Sequence, residues 1–239
     1  MTSVATRLRL AGLQVGLPRE HGREGAREWA ERAWTTAFFK EPVDAPVWLG
    51  RLHLEGDGVA DRRFHGGADK AALAYSAAHY PAWRTELGIE MPFGAFGENF
   101  TVEGQDEAAV CLGDVYAVGG ARVQVSQPRI PCWKIARRWG IKDLSARVQK
   151  TGRTGWYFRV LEEGRVAPDD PVELIERPHP EWTVAGANEA MFVVRTRDSV
   201  LALAGCPALA PSLADVLRQR AALQRDGGDE GRLVGDNGE

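Results

Sequence analysis

The sequence predicts a mainly β (α+β) fold, a β-barrel followed by a small three-helix domain. Short β-rich segments, several of them separated by glycine-containing turns, recur from about residue 35 to residue 178. Only one clear helical pattern interrupts them, and many strands at such short spacing are typical of a closed or half-closed barrel. After the segment ERPHPEW the composition changes to short helical patterns, so we place a domain boundary close to residue 178.

The elements follow in chain order. Residues 1–34 hold one short possible strand and a charged stretch, interpreted as an N-terminal extension packing on the barrel. The barrel is assigned to 35–178. Within it, apolar residues at helical spacing predict a helix that starts near Asp69 and is broken or kinked by Pro81. The predicted strands are TTAFFKEPV, APVWLGRLHLEG, ENFTVEG, AAVCLGDVYAVGG, ARVQVSQ, GWYFRVLEEG and DPVELIERP.

The last third of the chain predicts helices. RRWGIKDLSARVQKTG predicts a helical excursion still within the barrel. Residues 179–225 contain three short helical patterns, and Pro211 suits the first turn of the last one. The tail, 226–239, is rich in glycine and acidic residues and is expected to be disordered.

The composition indicates an ordinary globular protein. The chain has 239 residues, 44% of them hydrophobic, which excludes a disordered chain. Three dispersed cysteines do not suggest a disulfide framework or a structural zinc site. Because no apolar run approaches the roughly 20 residues of a membrane span, and no signal-peptide core is visible, we expect a cytoplasmic protein without a membrane partner. The sequence carries no signal for the oligomeric state.

Positive charge is concentrated between Arg122 and Arg159. This window holds ten basic residues and one acidic residue, Asp143, although the net charge of the chain is −3. Such a block attracts an anion, but a solvated basic face balanced by acids elsewhere is an equally good interpretation of charge alone.

Cys132 is the first candidate functional residue. Pro128 and Pro131 restrict the backbone before it, and basic residues follow it closely in SQPRIPCWKIARR. Nearby cations favour the thiolate, which is both a nucleophile and a metal ligand. A small buried hydrophobe is the alternative for any lone cysteine, and we adopt it for Cys111 and Cys206.

HGGADK and GENF are weaker candidates. Two glycines before a predicted helix start, with Lys70 close by, suit a phosphate site, although a turn with a helix cap explains them equally well. His65 is a possible proton donor or a structural histidine. Asn99 suits an amide-rich heterocycle or a turn. No GxGxxG, P-loop, HExxH or GxSxG motif is present, and no lysine motif supports pyridoxal phosphate.

Taken together, these segments resemble the MOSC domain (molybdenum cofactor sulfurase C-terminal), most closely its YiiM-like branch. The resemblance covers about residues 35–183 and rests mainly on HGGADKA together with QPRIPCWK. It implies a pyruvate-kinase-like β-barrel and an oxidoreductase that uses a molybdenum cofactor (molybdopterin) to reduce N-hydroxylated compounds such as hydroxylaminopurines. The helical remainder resembles the three-helix domain that follows the barrel in this branch.

The resemblance also implies roles for individual residues. Cys132 matches the family cysteine that ligates molybdenum, and His65 is taken with it as a catalytic candidate. Either His65 or Glu98 is the guess for a proton donor. The expected cofactor contacts are Lys40, Arg63, His65, Gly66, Gly67, Lys70, Asn99, Arg129 and Arg153.

Three hypotheses follow. The first is a molybdenum-cofactor reductase that receives electrons from a separate reductase, because the chain has no cysteine-rich ferredoxin-like segment. The second is a sulfur carrier that holds a persulfide on Cys132. The third is a barrel that binds an anion or nucleic acid by charge and by stacking on Trp133, Trp139, Trp156 and Tyr157. Nucleic acid ranks last, because one phosphate group needs fewer charges than a nucleic-acid track.

Overall fold

The main feature of the fold is an eight-stranded sheet. The computed structural model describes residues 8–61, 65–223 and 229–235. The strands of the sheet are β1 (Arg9–Val15), β4 (Glu41–Pro42), β6 (Ala72–Ser76), β7 (Phe100–Glu103), β8 (Val115–Val118), β9 (Ala121–Pro128), β10 (Trp156–Glu162) and β12 (Val172–Glu176). Their order is β12-β8-β9-β10-β6-β7-β1-β4, and all neighbours are antiparallel except the parallel pair β6 and β7.

The sheet curls back towards its first strand. The amide of Leu10 donates to the carbonyl of Asp170 at 3.0 Å, and the amide of Asp169 donates to the carbonyl of Leu10 at 2.8 Å. The amide of Val172, at the start of β12, donates to Leu8 at 3.0 Å. These bonds join β1 to the β12 side of the sheet, so backbone groups that an open edge would leave unpaired are satisfied.

Two small sheets lie beside the large one. β2 (Arg19–His21) pairs with β3 (Trp34–Thr36), and β5 (Val47–Leu49) pairs with β11 (Gly164–Val166).

The sheet encloses the larger hydrophobic core. Buried and partly exposed residues alternate along the first half of β9 and along most of β10, as expected for strands with one face towards a core. Phe100, Tyr116 and Phe158 fill this core with T-shaped and tilted ring contacts. Burying an aromatic or large aliphatic side chain of this kind contributes about 1.5–3 kcal/mol.

Three helices belong to the segments of chain that connect strands of the sheet. They are α1 (His79–Leu87), α2 (Lys134–Trp139) and α3 (Leu144–Thr151). α2 and α3 form the predicted helical excursion. Together with Tyr75 and Phe96, the three helices build a second apolar cluster, in which Trp83 of α1 and Ile135 of α2 are fully buried. This packing holds the chain that leads from β9 into α2.

The helices that follow the sheet are α4 (Val184–Glu189), α5 (Arg197–Ala204) and α6 (Pro211–Leu223), with one turn of π-helix at Ala190–Val194. They confirm the three predicted helical segments, and Pro211 opens α6. The hydroxyls of Thr183 and Thr196 cap α4 and α5. Their apolar residues belong to the same continuous core cluster as the strands, so the helical region packs on the sheet. Within the described ranges, no helix has the length and apolar character that a bilayer crossing requires.

Three expectations differ from the structure. Residues 1–34 contain a strand, as expected, but this strand, β1, lies inside the sheet and not in an extension packed on it. The helix expected from about Asp69 begins only at His79, because Ala72–Ser76 is strand β6. All five residues of β6 are buried between β10 and β7, so they lack the alternation that identifies a strand. In the tail, Glu230–Leu233 forms helix α7, whereas 224–228 and 236–239 lie outside the described residues.

Candidate functional site

Cys132 lies on the short segment between β9 and α2, where it is partly exposed. The carbonyl of Cys132 accepts hydrogen bonds from Ser145 Oγ at 2.8 Å and from the amide of Ile135 at 3.2 Å. On the other side, the amide of Trp133 donates to the carbonyl of Arg232 in α7 at 2.9 Å. The backbone that carries the thiol is therefore fixed by α2, α3 and α7.

The other two cysteines are structural. Cys111 and Cys206 are buried, as expected, and burial is the main cause that raises the pKa of each thiol. Neither lines either of the two cavities described below. Their thiols are therefore kept protonated and inaccessible, which makes them suitable controls for Cys132.

Cys132 lines a cavity whose wall also contains many of the predicted site residues. This first cavity encloses about 700 Å³ including its open mouth, and it lies between the turn at 52–60, the segment 65–73 and the end of β9. Its wall includes Lys40, His65, Gly66, Lys70, Asn99, Arg129 and Cys132. Residues separated by almost a hundred positions in the sequence are thus brought to one place.

Two of the predicted contacts do not line this cavity. Gly67 is next to the cavity in sequence but does not line it. Arg153 pairs with Glu86 at 2.7 Å and stacks on Trp83 at 4.9 Å, away from the cavity. Arg63 lies outside the described residues.

Lys40 is held in a buried network at the wall. Its Nζ forms an ion pair with Asp57 Oδ1, and the two side chains are only 6% and 7% exposed. Asp57 also accepts from the amide of Gly16 at 2.7 Å and from Asn99 Nδ2 at 3.0 Å. Burial lowers the pKa of Lys40, and Asp57 opposes this shift. Because the charge of Lys40 is already neutralised, it shapes the wall more than it attracts an anion.

Asn99 is committed to the protein itself. Its Oδ1 accepts from the amide of Leu73 at 3.0 Å, and its Nδ2 donates to the carbonyl of Gln14 at 3.2 Å as well as to Asp57. With both ends of its amide engaged, Asn99 joins β1, β6 and the turn at Asp57. The role expected for it, hydrogen bonding to a heterocycle, does not fit these contacts.

Arg129 provides an unpaired positive group. The side chain is 3% exposed, and the backbone amide of Arg129 donates to Gly155 at 2.9 Å. In the part of the chain that the structure describes, Nη1 has no hydrogen-bond acceptor. A buried guanidinium N–H without a partner is costly, so this atom indicates a place for an anionic or carbonyl oxygen.

His65 stands among cations. Burial, followed by Lys134, Lys70 and Arg129, lowers the pKa of His65 to about 3. At about pH 7 the imidazole is therefore neutral and lacks the acidic proton of an imidazolium. The predicted role of His65 as a proton donor does not fit this environment.

Glu98 is the other guess for a proton donor, and it is fully buried outside the cavity. Its carboxylate accepts from Tyr80 Oη, from Thr101 Oγ1 at 3.0 Å and from the amides of Gly94 at 2.6 Å and Phe96 at 3.1 Å. A carboxylate that accepts four hydrogen bonds is a structural clamp for the turn before β7.

The glycines of HGGADK form a tight turn. Gly66 has φ +75°, and a Cβ there would lie 2.9 Å from Val59 Cγ2. Residues Ala68–Lys70 make one short 3-10 turn before β6. The phosphate site expected at a helix N-terminus is therefore absent from this segment, and Lys70 reaches the cavity as a side chain only.

The basic block does not converge on the cavity. Only Arg129 and Lys134 of its ten basic residues line it, while Arg147 pairs with Asp143 and Arg159 with Asp69. The block spans two strands and two helices, whose side chains point in different directions.

The aromatic rings considered for nucleic-acid stacking are largely committed to the interior of the protein. Trp156 is fully buried. Trp133 packs against Trp34 at 5.4 Å, and Trp139 Nε1 donates to the carbonyl of Ala95 at 3.0 Å. These three tryptophans therefore do not form an exposed stacking platform, whereas Tyr157 lines the first cavity.

A second cavity adjoins the first and was missed by sequence reasoning. It encloses about 1610 Å³ including its mouth and lies between the end of β9, α6 and α7. His65, Lys70, Cys132, Lys134 and Tyr157 line both cavities. The residues that line only the second cavity include Gln127, Ile130, Ser212, Leu213, Val216 and Arg232. Gln127 and Ile130 belong to the QPRIPC motif, whereas nothing in the sequence connects α6 to Cys132.

Comparisons with known proteins identify the family of the chain. The family model of the MOSC domain matches residues 61–173. "Uncharacterized protein YflK" from Bacillus subtilis (strain 168) is 47% identical over 171 residues, which cover 72% of this chain and 77% of that protein. The chain therefore belongs to the MOSC domain family.

Within the family the chain is YiiM-like. The crystal structure of YiiM from Geobacillus stearothermophilus matches with a TM-score of 0.74 and 35% identity, over 90% of this chain and 99% of that one. A protein of Gibberella moniliformis (strain M3125 / FGSC 7600) named "Reductase" is 37% identical over 180 residues. These cover 73% of this chain but only 31% of that protein.

Proposed function

We propose that this protein is a molybdenum-cofactor-dependent oxidoreductase that reduces N-hydroxylated compounds to amines, with Cys132 as the protein ligand of molybdenum. One observation carries the proposal: the only partly exposed cysteine of the three lies in the wall shared by two cavities, next to a buried arginine with an unpaired Nη1. Membership of the MOSC family and similarity to a protein named "Reductase" support it.

The residues present suit the cofactor. A thiolate is a soft ligand of the kind that transition metals with sulfur ligands accept. The phosphate of the cofactor requires cationic donors, and Lys70, Arg129 and Lys134 line the first cavity together. In this proposal Arg129 Nη1 donates to an oxygen of the cofactor, which satisfies the unpaired atom.

When bound, the cofactor would supply two electrons for cleavage of an N–O bond. The overall reaction takes the N-hydroxylated compound, two electrons and two protons to the amine and water. The chain must deliver protons near Cys132, and Lys70 Nζ is the donor we assign. Lys70 lines both cavities, and burial lowers its pKa, so its ammonium releases a proton more readily than an exposed lysine.

Electrons are proposed to come from a separate reductase. The three cysteines are dispersed at positions 111, 132 and 206, which is not the arrangement of an iron–sulfur cluster. The shared wall at Cys132 would be the point where electrons from that partner are used.

The test is metal content together with activity. Protein from a host that makes the molybdenum cofactor should contain close to stoichiometric molybdenum and reduce a hydroxylaminopurine with a reduced viologen dye as donor. Cys132→Ala should lose the activity, while the matched control Cys206→Ala, a buried thiol outside both cavities, keeps it. Full activity in protein without molybdenum would refute the proposal.

The same preparation distinguishes the persulfide alternative. A sulfur carrier would show an intact mass larger by one sulfur atom, located on Cys132 and absent in Cys132→Ala, in protein that contains no molybdenum. Molybdenum in the wild-type protein without such an adduct favours the reductase.

A further inference from the structure

The second cavity has walls of two kinds. Ile130, Leu213 and Val216 provide apolar surface from the end of β9 and from α6. Cys132 and Lys134 lie on the wall that it shares with the first cavity. A molecule held against the apolar wall would therefore reach the thiol from a cavity that the expected cofactor contacts Lys40 and Arg129 do not line.

Gln127 lines this second cavity and carries a buried acceptor atom without a partner. The residue is 2% exposed, and its backbone is fixed in the β9–β10 ladder opposite Tyr157. Its Nε2 donates to the carbonyl of Pro128 at 3.3 Å, which sets the orientation of the amide. Among the described residues, Oε1 then has no donor. Buried amide oxygens are nearly always paired, so this atom indicates a ligand that carries an N–H or O–H group.

We infer that the second cavity is the substrate chamber and that Gln127 Oε1 selects substrates by accepting a hydrogen bond from their N–H or O–H group. The inference rests on the proposed function and deepens it. The apolar wall takes the organic body of the substrate, the glutamine recognises its donor, and the reducible N–O group lies towards Cys132. Gln127 is thus a specificity-determining residue, and α6 contributes one wall of the chamber.

A matched pair of ligands tests this assignment. Benzaldoxime carries one O–H donor, and O-methylbenzaldoxime differs from it by a methyl group that removes the donor. Dissociation constants of both are measured by titration calorimetry on the purified full-length protein, without reductant, and molybdenum is quantified in the same samples. Wild-type protein should prefer benzaldoxime about tenfold, because the methyl ether leaves the buried acceptor unpaired.

Variants separate recognition from folding. Gln127→Leu should reduce the preference to about one, whereas Gln127→Glu, which retains an acceptor oxygen, should preserve it. Gln124→Leu is the matched control on the same strand, since Gln124 lines neither cavity, and should leave the preference unchanged. Val216 lines the chamber and is partly exposed to solvent, so Val216→Trp should occupy space in the chamber and weaken both ligands at unchanged melting temperature.

The outcomes distinguish the two proposals. An unchanged preference in Gln127→Leu, or unchanged binding in Val216→Trp, overturns the substrate chamber even in protein loaded with molybdenum. A preference that depends on Gln127 in protein that cannot take up molybdenum keeps the chamber and overturns the proposed function. Loss of the preference in Gln127→Leu at unchanged molybdenum content supports both.

Discussion

The buried ion pair between Lys40 and Asp57 predicts a large loss of stability on Asp57→Ala. The aspartate neutralises a lysine that is 6% exposed and accepts hydrogen bonds from Gly16 and Asn99. Removing it leaves a buried cation and two buried donors without their acceptor. Breaking one side of a buried pair costs about 3–5 kcal/mol. For a chain of this size, each kcal/mol lowers the melting temperature by about 2–4 °C, so a decrease of roughly 6–20 °C is expected.

Thermal unfolding followed by circular dichroism measures this effect. Asp215→Ala is the control, because its ion pair with Arg218 is exposed and such pairs contribute about 1 kcal/mol or less. The double variant Lys40→Met with Asp57→Leu should recover much of the loss, since it removes the uncompensated charge. If Asp57→Ala melts within the range of Asp215→Ala, the network around Lys40 does not stabilise the cavity wall as described.

Three further predictions concern the same region. The pKa of His65 is about 3 in the folded protein and about 6.5 when unfolded, so stability is lost as the pH falls through 6.5 towards 3. Between about pH 7 and about pH 5 the loss in the free energy of unfolding amounts to about 2 kcal/mol, and urea unfolding at these two pH values measures it. The variant His65→Asn should lose about 2 kcal/mol less than the wild type over the same interval. Lys70→Arg keeps the charge but not the readily released proton, so kcat for N–O reduction should fall about tenfold or more while molybdenum content is unchanged; unchanged kcat refutes the assignment of Lys70. Arg232→Ala removes contacts to Gln149 at 2.5 Å and to the carbonyl of Pro131, so amide hydrogen exchange at Trp133 should accelerate, and unchanged exchange would show that α7 does not hold the Cys132 segment.

The QPRIPC and HGG segments could be identified from the sequence because their backbone restrictions are local. Prolines before Cys132 and positive φ angles at Gly66 and Gly67 are properties of single residues. Cys132 and the HGG turn could therefore be singled out from the residues themselves, whereas Lys40 and Arg129 were expected at the site only from the family resemblance. The partners inside the first cavity could not be predicted, because the pairing of Lys40 with Asp57 depends on how the turn at 52–60 packs against the chain after β3.

The second cavity could not be predicted for a different reason. Leu213 and Val216 have the ordinary apolar spacing of a surface helix, and only the packing of α6 against the end of β9 gives them a role. The prediction of disorder for the tail is wrong for residues 229–235, the part of it that the structure describes. Its composition indicates disorder, but Asp229 pairs with Arg195 and Arg232 reaches the carbonyl of Pro131, so α7 is held by specific polar contacts.

The basic block shows that charge density in sequence is a weak guide to a site. Arg153 and Arg159 cannot be distinguished from Arg129 by their place in the basic block, yet both have carboxylate partners at 2.7 Å. Arg129 differs because it lines the first cavity, whereas Arg159, which also has a buried nitrogen (Nη2) without an acceptor among the described residues, does not. The distinction depends on contacts made by residues far away in the chain.

The ligation of molybdenum by Cys132 is tested most directly by X-ray absorption at the molybdenum edge. The measurement compares wild-type protein with Cys132→Ser and with the control Cys206→Ala, all loaded with cofactor. The number of sulfur atoms bound to molybdenum should fall by one in Cys132→Ser and stay unchanged in Cys206→Ala. An identical sulfur count in wild type and Cys132→Ser, with molybdenum retained in both, would contradict the assignment of Cys132 as the ligand.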